Sequence, residues 1–116
     1  MTENRKFIRL RAPLPVEYRL LDKHKKQKKF SSFMKNISVA GLSLVIKEPV
    51  RTGDLMRVQI DVPCLEEPVY VVGDVIWHSI LKRNEEAAHE AGIRFQEVDP
   101  SELNKILDYV YTVAIG

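Results

Sequence analysis

Two arginines and one polar turn hold most of the chemistry this chain can offer. Arg5 and Arg9 stand four residues apart near the N-terminus. A guanidinium presents a planar fork of donors that fits phosphate bidentately and stacks on flat rings. Further on, Asn36-Ile37-Ser38-Val39-Ala40-Gly41 interrupts apolar, β-branched sequence. Asn and Ser side chains bond readily to nearby backbone and favour turns. Gly41 permits a positive φ or a close backbone approach. A pair of arginines beside such a turn suits an anionic, planar ligand.

Other chemistries lack their residues. His24, His78 and His89 are dispersed without metal-ligand spacing. His78 and His89 could face each other across a hairpin, but no third ligand is evident. Ser38 has no base placed by sequence and no nucleophile elbow around it. Cys64 lies beside Glu66 and Glu67, whose charge opposes thiolate formation. Glycine-rich phosphate loops are absent. The chain is expected not to be an enzyme and to need no metal or cofactor.

The elements that must position these groups are short. The chain has 116 residues, 45% hydrophobic and 29% charged, which suits one ordinary globular domain. No apolar run approaches the roughly 20 residues that span a bilayer. Met1 to Arg5 runs into charge without a signal-peptide core, and one cysteine precludes an internal disulfide. A cytoplasmic location without membrane insertion is the expectation. Net charge is +2, with five lysines between Asp22 and Lys29, so global steering of nucleic acid is not indicated.

Residues 1–11 read as a flexible basic arm, because Arg5, Lys6, Arg9 and Arg11 repel one another. Residues 12–116 read as the folded domain. Leu14, Val16, Tyr18 and Leu20 alternate with polar residues, which gives a half-buried strand. The Lys-rich stretch 23–29 reads as a hairpin loop. A second strand spans Phe30 to Asn36, with Phe33 and Met34 expected inward. Leu42-Leu44-Ile46 and Met56-Val58-Ile60-Val62 alternate in the third and fourth strands. Val69 to Ile80 forms a fifth, with Gly73 at a bulge and Trp77 in the core. Lys82 to Glu90 reads as a polar connection, and Ala91-Ile93-Phe95 as the sixth strand. Asp99-Pro100-Ser101-Glu102 starts a helix at about residue 100, with Asp99 capping and Glu102 completing a capping-box-like pair. Leu103, Ile106, Leu107 and Val110 give that helix one apolar stripe. The expected fold is mainly β: a six-stranded antiparallel barrel with a C-terminal α-helix.

Arg-x-x-x-Arg at Arg5 and Arg9, followed by Asn-x-Ser-x-x-Gly at Asn36, Ser38 and Gly41, resembles the PilZ family of bacterial cyclic di-GMP receptor domains. The resemblance covers nearly the whole chain. It implies a PilZ-type barrel and cyclic di-GMP as ligand. It implies that Arg5 and Arg9 contact phosphates and stack on guanine, that Asn36 and Ser38 hydrogen-bond guanine edges, and that Gly41 shapes the turn. Binding is then expected to order the arm over the barrel and to create a surface for a downstream protein effector. Asn36 stands where the family more often has Asp. Two rival readings remain: a small-barrel single-stranded nucleic-acid binder, which needs exposed aromatics on one sheet face, and a PilZ-like adaptor without ligand binding.

Overall fold

The computed structural model describes residues 9–21, 28–83 and 86–115; the side chains of 81–88, 114 and 115 fall outside that description. Arg5 and most of the Lys-rich stretch therefore lie outside the described residues.

The strands follow from period-two burial. β2 (Pro15–Leu20), β4 (Gly41–Ile46) and β5 (Leu55–Ile60) each turn alternate apolar side chains inward. β3 (Phe30–Ile37), β6 (Val69–Arg83) and β7 (Glu86–Glu97) complete an antiparallel sheet ordered β3-β2-β5-β6-β7-β4. β3 also pairs with β4, so the six strands close into a barrel with no free edge along the closed part. A two-residue strand, β1 (Leu10–Arg11), pairs with Ile37 and Asn36 on the side of β3 that β2 also uses. β1 and β2 thus act as one strand interrupted at Pro13, which has no N–H to give. Ala12 N–H bonds Lys35 C=O, and Met34 N–H bonds Leu14 C=O, so the ladder continues across the break. Leu10 and Arg11, the end of the expected arm, are sheet residues.

The barrel is filled by Val16, Tyr18, Leu44, Met56, Ile60, Ile93 and their neighbours, all nearly inaccessible to solvent. Each such burial is worth about 1.5–3 kcal/mol. Tyr18 is the largest of them, and its hydroxyl accepts the Lys47 N–H at 2.6 Å. Burial pushes the Tyr18 phenol above its usual range. The helix α1 (Pro100–Ile115) covers one end of the barrel with Leu103, Ile106 and Val110. Asp99 caps it through Ser101 N–H at 2.8 Å. Glu102 does not close a capping box; it pairs forward with Lys105 at 3.5 Å.

Three further expectations are corrected. Phe33 points outward and is 59% exposed, because alternation along β3 puts Ser32 and Met34 inside. The buried Ser32 hydroxyl is satisfied by the Val45 carbonyl at 2.6 Å. Lys82 to Glu90 is not a loop: Leu81, Lys82 and Arg83 pair with Ala88, Ala87 and Glu86, so the hairpin runs on past the barrel. Its strands need no apolar alternation there, because the extension has no core to face. Trp77 is not in the core. The ladder slips once at Gly73, as expected, and again between Val75 and Trp77. The second slip adds Ile76 as an extra residue and turns the indole to the outer face.

Candidate functional site: a bare depression on the barrel wall

The barrel is convex, so a concavity on it needs an explanation. Register places Asn36, Ser43, Gly92 and Trp77 in one row across β3, β4, β7 and β6. The next row holds Gly41, Arg94 and Asp74. Two glycines sit in these rows where other strands carry side chains. A Cβ on Gly41 would lie 2.0 Å from the Ile93 carbonyl oxygen, and one on Gly92 would lie 2.1 Å from Trp77 Nε1. Gly41 therefore serves close backbone approach, without a positive φ. The Ile93 carbonyl and the Trp77 indole fill those two positions, and a cavity of about 220 Å³ lies along these rows.

Arg9, Asn36, Ser38 and Gly41 all line that cavity. β1 brings Arg9 there, since Leu10 and Arg11 pair beside Ile37 and Asn36. Arg9 is exposed. Arg5 lies outside the described residues. Ser38 organises the turn: its N–H donates to Gly41 C=O at 2.8 Å, and its hydroxyl accepts Ala40 N–H at 3.1 Å. Asn36 Nδ2 donates to Ser43 Oγ at 3.3 Å. That bond leaves the Asn36 side-chain carbonyl oxygen with no hydrogen-bond partner among the described residues.

The cavity has members that sequence reasoning missed. Trp77 forms one wall with its indole laid across Gly92. Ser43 is buried under the floor. Arg94 is held to Asp74 by two bonds, at 3.0 and 3.3 Å, and Gln96 donates to the same carboxylate at 2.6 Å. The Gln96 amide and then the Arg94 guanidinium hold the Asp74 carboxyl below its usual range. These residues become neighbours only through cross-strand register, which local sequence does not show.

Elsewhere, His78 Nε2 and His89 Nδ1 do face each other, at 3.0 Å. The ring centroids are 5.2 Å apart and the planes differ by 12°. That separation equals the nitrogen gap plus two ring radii, so the rings meet edge to edge through one N–H···N bond. No group of three metal-ligating side chains occurs among the described residues. No described helix is long and apolar enough to cross a membrane.

A family model described as the PilZ domain matches residues 3–112. The chain belongs to the PilZ family. No curated protein matches the sequence. The PilZ fold recurs in solved structures of low identity. The PilZ domain of YcgR from Escherichia coli, solved with c-di-GMP, superposes with a TM-score of 0.73 at 16% identity, covering 95% of this chain and 91% of that one. The Bacillus subtilis inhibitor of motility MotI/DgrA gives 0.71 at 17%, covering 98% and 52%. The K. pneumonia MrkH–c-di-GMP complex gives 0.71 at 14%, covering 99% and 54%. The chain thus spans about half the length of the latter two. PilZ structures of this set share the closed six-stranded antiparallel barrel and terminal helix found here.

Proposed function

We propose that this PilZ chain is a cyclic di-GMP receptor of the bacterial cytoplasm that passes the signal to a partner protein without catalysing a reaction. The observation that carries the reading is the convergence of Arg9, Asn36, Ser38 and Gly41 on one depression, with the indole of Trp77 as its wall. Two structural relatives were solved with the same ligand.

Each group has a chemical task. Arg9, joined by Arg5 from the arm, neutralises phosphate and stacks on guanine, an interaction worth about 0.5–2 kcal/mol. The side-chain carbonyl of Asn36 accepts guanine N–H groups, as an Asp there would. Ser38 holds the turn, and Gly41 lets it close against Ile93, which shapes the surface the base meets. Trp77 offers a flat face for a second ring.

The cavity is smaller than the roughly 300–1,000 Å³ of drug-sized sites. A dinucleotide overfills it, so the arm must supply the remaining contacts. Binding then converts the arm into a clasp, an order–disorder switch whose cost lowers net affinity and keeps the sensor reversible. The clasp and the covered wall present the new surface to the partner.

Arg5→Ala and Arg9→Ala each test this by calorimetric titration. Each lowers affinity for cyclic di-GMP at least about tenfold, or 1.4 kcal/mol, while the ligand-free melting transition hardly moves. Unchanged affinity rejects the site assignment.

A further inference from the structure

The wall opposite the depression carries its own pattern. On the outer face of β2, β5 and β6, Arg19 lies directly across from Arg57. Like charges so placed repel, and neither arginine has a carboxylate partner among the described residues. Arg57 lies over the ring of Tyr70, 4.8 Å from its centroid. Tyr70 is itself 49% exposed. Four residues along the same strand direction from Arg57, the face ends in the exposed Asp61, followed by exposed Glu66 and Glu67 in the connection to β6. One end of this face is cationic and the other anionic. Gln59, paired with Glu17 on one side and Tyr70 on the other, marks the midpoint.

We propose that this face binds a second copy of the chain as a two-fold dimer. A two-fold axis through Gln59 turns β5 end for end against its copy. It lays Arg57 against the second copy's Asp61, and by symmetry Asp61 against the second copy's Arg57. Arg19, beside Arg57 in the same row on β2, approaches the same Asp61. The repulsion between Arg19 and Arg57 is relieved by the partner's carboxylates, and the exposed Tyr70 rings cover apolar area beside the axis. The pattern selects a second copy over an unrelated acidic protein, because both halves of the complementarity sit on one strand, equally spaced from its midpoint. The nucleotide depression lies on β3, β4, β7 and the second half of β6, so dimerisation leaves it open.

Sedimentation equilibrium of the full chain tests this at about 0.05 M and about 0.5 M salt, where exposed ion pairs are strong and screened respectively. Dimer is expected at low salt at a protein concentration of about 200 μM, with at least a tenfold weaker association at high salt. Arg57→Asp and Asp61→Arg each abolish it, and the double exchange restores it. Circular dichroism confirms that each variant is folded; a variant that is not is replaced by Arg57→Gln or Asp61→Asn, which must weaken the dimer. A monomer at low salt overturns the proposal. So does a dimer that both single exchanges leave intact, or a double exchange that stays monomeric.

Discussion

The indole of Trp77 lies across the bare Cα of Gly92, so close that a single added methyl would sit 2.1 Å from Nε1. The two residues are cross-strand partners brought together by the second slip between β6 and β7. Gly92→Ala must therefore push the indole outward into the cavity. The expected cost is about 1–3 kcal/mol of stability from overpacking, together with at least about a tenfold loss of cyclic di-GMP affinity. A thermal melt and a titration check the two effects separately. A variant with unchanged affinity would detach Trp77 from ligand binding.

Trp77 is the single tryptophan of the chain. Its emission therefore reports the depression without a label. Saturating cyclic di-GMP should change that emission, since a base stacked on the indole alters its surroundings. Emission that stays constant through a titration that calorimetry registers would place the ligand elsewhere.

Tyr18 fills the barrel centre and accepts the Lys47 N–H. Tyr18→Phe keeps the ring and strands that donor. It should cost about 1–3 kcal/mol of stability with nucleotide affinity unaffected, because the group is far from the depression in register. Urea denaturation measures it, and a loss below that range would mean water replaces the hydroxyl.

The Asp74 carboxyl is held below the ordinary aspartate value of 3.8 by Gln96 and then Arg94. A depressed folded-state pKa gives stability that is present in full above the unfolded value and is lost as pH falls through the folded one. The difference in melting temperature between wild type and Asp74→Asn should thus be steady near neutrality and shrink below pH 3.8. The effect is small, because the ion pair to Arg94 is exposed to solvent. A difference that grows on acidification would contradict the assignment.

Strands β2, β4 and β5 were legible because their alternation is local: Val16-Tyr18, Leu42-Leu44-Ile46 and Met56-Val58-Ile60 each declare one buried face. Asp99 and Pro100 likewise announced the helix. Phe33 and Trp77 misled because large aromatics usually fill cores, whereas a buried Ser32 and a bulge at Ile76 set their direction. The register of a bulge depends on the partner strand, which the segment itself does not contain. Gly92 read as an ordinary strand residue for the same reason: its bareness has meaning only once Trp77 lies over it. Arg9, Asn36, Ser38 and Gly41 could be singled out as chemistry, but only the pairing of β1 with the end of β3 shows that they share a wall.

Calorimetry with cyclic di-GMP, cyclic di-AMP and GTP side by side addresses the central claim most directly. The account predicts saturable heat with cyclic di-GMP, affinity at least about tenfold weaker for cyclic di-AMP, and none resolved for GTP. Equal response to all three would show a generic anion site, and no response to cyclic di-GMP would contradict the receptor assignment outright.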